Sequence, residues 1–328
     1  MSKTGTGLGV LSRRLVLGAP ALLLPRQAGA QSPWPAGPIR FITPASPGGS
    51  TDVMVRLLSE GLSRRYQVPF PVDTRPGAEG SIAAQAFVQA APGTALFFTN
   101  AGTVTTTPVL IPRLPYDPWS DLVTVAPVAT DFLAYAVRPD FPAATLPEVF
   151  ERMRARPGTY TWCSAPGGTN LLTNAYLQVN KLDAVFINYR TTGAAALDTA
   201  AGRVDLAVQP LITLAPLVQE GKLRLLAVTP SVRSPAWPDV PTAKEAGLPE
   251  LQLDPVSGAF GWKGMPGGLR SQLTAAVQDI VRDPGTVQRM RSLGLVPRIA
   301  SAQEYERDLR ETGVRLAELA QKYGVRSD

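Results

Sequence analysis

From residue 39 onward, short apolar runs alternate with segments whose apolar positions recur every three or four residues. The short runs read as strands and the 3.6-residue periodicity as helices. A strand at 39–43 precedes a helix that starts near Thr51 or Asp52, with Val53, Met54, Leu57, Leu58 and Leu62 on one face. Strand 71–74, helix 81–90 and strand 96–100 follow. A strand at 133–137 and a helix at 146–156 open a second series: strand 160–164, a helix to about residue 180, strand 185–188, helix 193–201, and strands 206–209 and 223–229. Last come a strand at 256–262, helices at 269–282 and 285–293, and a long helix in which Tyr305, Leu309, Thr312, Leu316, Leu319 and Tyr323 recur in steps of four and three. That stripe reads as helix core contact, not as a cofactor box. Thr242 with Glu245 and Ser301 with Glu304 have capping-box spacing, and each is expected to start a helix. The alternation as a whole predicts an α/β fold.

One unit occurs twice. A strand, a loop rich in Pro, Gly, Ser and Thr, and a helix appear at 39–62 and again at 160–180, which suggests two similar lobes facing each other. The first loop carries Ala45, Ser46, Pro47, Gly48, Gly49, Ser50, Thr51 and Asp52; the second carries Ser164, Gly167, Gly168, Thr169 and Asn170. A glycine-rich loop entering a helix exposes unpaired backbone N–H groups at the positive end of the helix dipole, and such an end takes a carboxylate or phosphate without a cationic side chain. Gly48, Gly49, Gly167 and Gly168 permit close backbone approach, and the Ser, Thr and Asn side chains add donors. Glycine-rich strand–helix turns are also common as plain structure, and Asp52 reads more readily as a cap than as a group facing an anion. Neither loop ends in the GK[ST] of a P-loop or has GxGxxG spacing, which disfavours a nucleotide. Tyr189 and Arg190, just after a strand, are placed to face a cleft, although a surface position suits an arginine equally well.

Composition narrows the chemistry. The 328 residues contain no histidine and one cysteine, Cys163, which reads as a small buried hydrophobe. Histidine-based triads, histidine metal ligands and an intrachain disulfide are therefore excluded, and no cofactor, metal or catalytic residue is expected. The first thirty residues stand apart: Ser12, Arg13 and Arg14 precede an apolar run from 15 to 24 that ends in Ala28-Gly29-Ala30. A charged start, a short apolar middle and a small-residue end make an export signal, and the paired arginines fit a twin-arginine signal as well as an ordinary one. The run is too short for a permanent membrane anchor. Removing residues 1–30 takes away four basic residues and no acid, so the net charge falls from +6 to +2. With no basic stripe left, a nucleic-acid partner is not expected.

A set of short segments, in order and at consistent spacing from about Trp34 to Tyr323, resembles the Bug-type solute-binding proteins of tripartite tricarboxylate transporters. They are Pro38-Ile39-Arg40 with the 44–52 loop, Arg75-Pro76-Gly77-Ala78, Leu114-Pro115-Tyr116-Asp117-Pro118, Gly168-Thr169, Asn188-Tyr189-Arg190, Gly202-Arg203-Val204-Asp205, the run 221–229, Arg233-Ser234-Pro235, residues 238–242, and Glu245-Ala246-Gly247-Leu248-Pro249. The resemblance implies a type II periplasmic binding fold: lobe 1 from 31–133 plus 256–328, lobe 2 from 134–255, and crossings near 133–137 and 256–262. It implies that both loops grip one ligand carboxylate, and that Asn100, Ala101, Gly102 and the region of Gln209 line the same cleft. It also implies a periplasmic, monomeric protein that works with membrane transporter subunits without being membrane-embedded. A ligand-presenting role for a sensor kinase is the alternative. The sequence departs from the family's pattern where a histidine often follows Gly168-Thr169, where glycine often stands at Glu79, and where Ser50 replaces a frequent third glycine. From these departures a less polar distal wall and a monocarboxylate or less polar ligand are expected.

Overall fold

A computed structural model describes residues 34–323 apart from Pro112, Pro166 and Arg190. The export-signal reading of residues 1–30 and the cleft position weighed for Arg190 lie outside the described residues. Two mixed sheets organise the rest. The first has the order β11-β4-β10-β3-β1-β2, built from β1 (Arg40–Thr43), β2 (Val72–Thr74), β3 (Ala95–Asn100), β4 (Leu122–Thr130), β10 (Val256–Trp262) and β11 (Val296–Pro297). The second has the order β7-β6-β8-β5-β9, from β5 (Leu133–Val137), β6 (Thr161–Ser164), β7 (Val185–Phe186), β8 (Leu206–Pro210) and β9 (Arg224–Val228). In each sheet three parallel strands are followed by one antiparallel strand that enters from the other sheet: β10 beside β3, and β5 beside β8. The repeated unit of the sequence is thus a repeated topology, β2-β1-β3-β10-β4 against β7-β6-β8-β5-β9.

The helices are α1 (Ser50–Tyr66), α2 (Ser81–Val88), the single turns α3 (Gly102–Thr105), α4 (Thr107–Leu110) and α5 (Pro118–Asp121), then α6 (Leu146–Ala155), α7 (Gly168–Val179), α8 (Thr192–Ala200), α9 (Leu211–Gln219), α10 (Gly267–Arg282), α11 (Pro284–Ser292) and α12 (Ala302–Tyr323). They cover both faces of both sheets. In β3, Leu96 and Phe98 meet Met54, Val55, Leu58 and Leu62 of α1 and Leu273 and Val277 of α10; Phe97, on the opposite face, meets Phe87 of α2 and Tyr305 and Leu309 of α12. This is the two-residue period of a strand buried on both sides. Each fully buried Leu or Phe contributes roughly 1.5–3 kcal/mol. On the second sheet Tyr135 and Val137 face α6 and α7, while Ala134 and Ala136 face α8 and α9.

Three segments depart from the sequence reading. β4 is a nine-residue strand where none is foreseen, although its Pro127 has no N–H to give the ladder. The strand tolerates it: β11 pairs only with Ala129 and Thr130, and the register with β10 slips between Ser257 and Gly258 just there. The helix α9 also goes unforeseen, with Pro216 inside it. The helix expected at Thr242 does not form. Its capping box is made, with Thr242 N–H donating to Glu245 Oε2 at 2.8 Å and Glu245 N–H to Thr242 Oγ1 at 3.1 Å. Yet Thr242 bridges to β9, and Gly247 and Pro249 end the chain's curl after one turn. The box at Ser301 does start a helix, α12.

The chain leaves the first sheet at residues 131–132 and returns at 253–255, so β5 and β10 are the strands that receive each crossing. α12 links the two halves a third time. It begins against the first sheet through Tyr305 and Leu309, and ends with Leu316 and Ala320 packed on Leu171 and Leu172 of α7. No described helix is long and apolar enough to cross a membrane.

Candidate ligand-binding site

Both glycine-rich loops open on one cavity of about 610 Å³ between the sheets. β1 delivers the first loop and β6 the second, each at the carboxyl end of a parallel strand, where α/β proteins place their clefts. In the first loop the Gly49 N–H returns to Ser46 O at 3.1 Å, and the Gly48 N–H goes to Asp52 Oδ2 at 3.0 Å. The next three amides, of Ser50, Thr51 and Asp52, begin α1 and have no described acceptor, as the geometry of a helix start requires. In the second loop Gly167, at φ +98°, is the N-cap of α7, and the amides of Gly168, Thr169 and Asn170 begin the helix with no acceptor among the described residues. With 17 and 12 residues, α1 and α7 each bring about half a positive charge to their ends.

Of the residues singled out in the sequence, Ala45, Ser46, Gly49, Ser50, Thr51, Asn100, Ala101, Gly102, Gly167, Gly168 and Thr169 line this cavity. Pro47 and Gly48 lie on the outer side of their loop and are exposed. Asp52 is a loop anchor, 5% exposed, with Arg56 Nη2 3.0 Å from its Oδ1. Burial pushes its carboxyl up, but the bonds from Arg56 and Gly48 outweigh that and hold it below the usual range. The hydroxyl of Ser164 donates to Ala165 O at 2.9 Å, and neither Ser164 nor Asn170 is among the residues that line the cavity. Tyr189 packs beside Cys163 and donates to Asp198 Oδ2 at 2.8 Å; burial and that carboxylate push its hydroxyl up to about 12. Gln209 is buried behind the wall, its Nε2 3.8 Å from Cys163 Sγ, while its neighbour Pro210 does reach the cavity.

Other wall residues are not marked as site residues by the linear pattern, although Thr312 belongs to the α12 stripe read as core contact and Glu79 stands where the family often has glycine. Asp131 lies in the first crossing and Asp254 in the second; Thr105, Thr106 and Thr312 come from α3, its C-terminal end and α12. The loop 76–80 supplies Glu79. Its φ angles are positive at four successive residues, Gly77, Ala78, Glu79 and Gly80. Gly80 has no room for a side chain: a Cβ there would stand 2.5 Å from Thr103 Oγ1. Glu79, Asp131 and Asp254 make three acidic residues among those lining the cavity. Burial raises the carboxyls of Glu79 and Asp131 above the usual range, and for Asp131 the bonds from Ser50 and Phe132 offset part of the rise.

Known proteins share this architecture. Protein BugT of Bordetella pertussis is 30% identical over 86% of this chain and 91% of its own length. The structure of an R. palustris protein with adipate superposes with a TM-score of 0.78 at 26% identity, covering 90% of this chain and all of that one. MatC from Rhodopseudomonas palustris with bound malate gives a TM-score of 0.72 at 26% identity, covering 86% and 99%. The model of the tripartite tricarboxylate transporter family receptor matches residues 54–325. The chain therefore belongs to that family of periplasmic-binding-fold receptors, and it is a solute-binding protein, not an enzyme.

Proposed function

We propose that the protein captures a small carboxylate in the periplasm and hands it to the membrane subunits of a tripartite tricarboxylate-type transporter. The observation that carries this reading is the convergence of two helix N-termini, α1 and α7, on one cavity. The amides of their first turns form a cradle for one carboxylate, and because the cradle is built into the loops it needs little ordering on binding. That structural relatives were solved with adipate and with bound malate supports an acid as the ligand. The two sheets, with the chain crossing at 131–132 and 253–255, act as lobes 1 and 2 that close over the ligand about those crossings. An export signal in residues 1–30 supplies the periplasmic location, and the mature chain acts as a monomer.

The test is a thermal-shift screen of the purified protein against mono-, di- and tricarboxylates and amino acids. At least one acid should raise the melting temperature in a concentration-dependent way. A flat response across the panel would remove the carboxylate reading.

A further inference from the structure

A second cavity, of about 570 Å³, lies between α12 and the short turns α3, α4 and α5. It backs onto the ligand cavity. Thr105 of α3 lines both spaces; in α12, Thr312 lines the ligand cavity and Gly313, next to it, lines the second. On α12 the lining runs along one face from Arg310 through Val314 and Ala317 to Gln321. That stretch of helix is about 16 Å long, so the space is a groove. Its walls include Pro108, Val109, Trp119, Val314 and Ala317, and its one charged lining residue is Arg310, at one end. Val314 is 59% exposed, so among the described residues the groove is open to solvent.

The charged end is held in place by its neighbours. The Trp119 ring packs on the backbone of α12 at Gly313, where a Cβ would stand 3.1 Å from Trp119 Cζ2. Glycine weakens a helix interior, and here it admits the ring. The Arg310 guanidinium lies over the same ring, 4.8 Å from a ring centroid. Its Nε and Nη2 donate to Glu306 Oε1, while its Nη1 has no described partner. Glu306 is shared: its Oε2 also accepts from Arg270 Nη2 and from Thr124 Oγ1. One carboxylate thus serves two guanidiniums, and one positive charge is left over. Asp117 and Asp121, beside Trp119 in the chain, do not line the groove, and Asp121 is paired with Lys263.

An elongated apolar groove with a free guanidinium edge at one end fits an elongated apolar body with a single acidic head. The head takes a charge-assisted hydrogen bond from Arg310, and the body removes Val109, Val314 and Ala317 from water. The volume is that of a small-molecule site. We propose that this groove is a second binding site, separate from the cleft, for a medium-chain monocarboxylate. It stands independently of the carboxylate reading of the cleft.

The experiment is calorimetric titration of the purified protein with octanoate, octan-1-ol, 1-aminooctane and acetate, each below its micellar concentration. Octanoate should bind at least about tenfold more tightly than the other three, since only it has both the head and the body. Arg310→Gln should bring octanoate down to the level of octan-1-ol. Ala317→Trp, at an exposed position, fills the groove and should abolish octanoate binding. Both variants should keep the melting temperature of the unliganded protein nearly unchanged, and Gly168→Val, at the cleft, should leave octanoate binding intact. The proposal is overturned if octan-1-ol matches octanoate, or if octanoate binding survives both groove substitutions. Loss of octanoate binding with Gly168→Val alone would put octanoate in the cleft, which sinks the groove and leaves the carboxylate reading standing. No octanoate binding at all would overturn the groove, and the thermal-shift screen would still decide the cleft. Two other occupants are read with the same variant. Binding to phosphatidylglycerol vesicles without binding of free octanoate, lost in Ala317→Trp, would make the groove a membrane contact. A dimer in sedimentation that Ala317→Trp dissolves would make it a face between copies of the chain, and either result overturns the proposal.

Discussion

The Ser50 hydroxyl donates to Asp131 Oδ2 at 2.5 Å, joining the first turn of α1 to the segment where the chain crosses between the sheets. The bond places an acid at the positive end of α1, within the same cavity that the helix end opens on. A ligand carboxylate approaching that end therefore meets Asp131 as a neighbour, and the protonation of Asp131 matters to both stability and binding.

Burial raises the Asp131 carboxyl above its ordinary value of 3.8. An acid whose folded pKa is raised contributes its stability in full below the unfolded pKa, and that contribution is lost as pH climbs through the folded pKa. Asp131→Asn removes the dependence while keeping an acceptor for Ser50. Melting curves of both proteins from about pH 4 to pH 7 should show the wild type losing ground against the variant as pH rises. Parallel curves would mean that Asp131 ionises as freely folded as unfolded.

Gly168 tests the cradle itself. A Cβ there would stand 3.1 Å from both Leu253 Cδ2 and Thr106 Oγ1, so a side chain would fill the space between the start of α7 and the facing wall. Gly168→Val should push the ligand carboxylate off at least one amide. Losing one charge-assisted hydrogen bond costs about 1.5–3 kcal/mol, a ten- to hundredfold loss of affinity. The second sheet should stay folded, with a fall of a few degrees in melting temperature. Unchanged affinity by calorimetry would show that α7 takes no part in the grip.

The layers and both loops were legible because period-2 and period-3.6 patterns and glycine-rich turns are local signals, and local signals survive in a linear reading. Tyr305, Leu309 and Leu316 are an example: spacing alone puts them on one packed face of α12, where they lie, although Thr312 between them reaches the cavity wall. What stayed hidden depends on tertiary context. Pro127 hides β4 because only the shortness of β11 makes a proline tolerable there. Asp131 is an ordinary acid in the sequence, and Glu79 stands out there only as an acid where the family often has glycine; the crossing brings the first to the cavity wall, and a left-handed turn of two non-glycine residues brings the second. Two placements differ in kind: the family resemblance put the region of Gln209 in the cleft, and a position just past a strand offered one to Tyr189; Pro210 does reach the cavity, while the side chains of Gln209 and Tyr189 pack beside Cys163.

That packed layer has a counterpart in the first sheet. The Tyr305 hydroxyl is buried with no described hydrogen-bond partner, and its ring occupies the space beside Gly258, where a Cβ would be 2.5 Å from Cε1. A buried polar group left without a partner costs about 1–3 kcal/mol. Tyr305→Phe keeps the ring's contacts with Phe260 and deletes only the hydroxyl. The variant should be at least as stable as the wild type, gaining up to about 1 kcal/mol in denaturant unfolding. A clear loss of stability would show that the hydroxyl has a partner, such as a buried water.

Asp52 should act on the first loop through the backbone and not through the ligand. Its carboxylate holds the Gly48 N–H at 3.0 Å and pairs with Arg56 one turn on, which sets the path of the chain into α1. Because its pKa is held below the ordinary 3.8, its contribution is present above that value and is lost as pH falls through the lower, folded pKa. Asp52→Ala removes a first-turn anion and a buried acceptor together, so at neutral pH it should lower stability by about 1 kcal/mol. Near pH 3 the gap between variant and wild type should narrow. Affinity for the bound acid should fall too, since Gly48 is freed and the amides of Ser50 and Thr51 lose their fixed direction. If calorimetry instead showed tighter binding after the substitution, Asp52 would be acting as a repulsive charge at the site and not as the anchor of its loop.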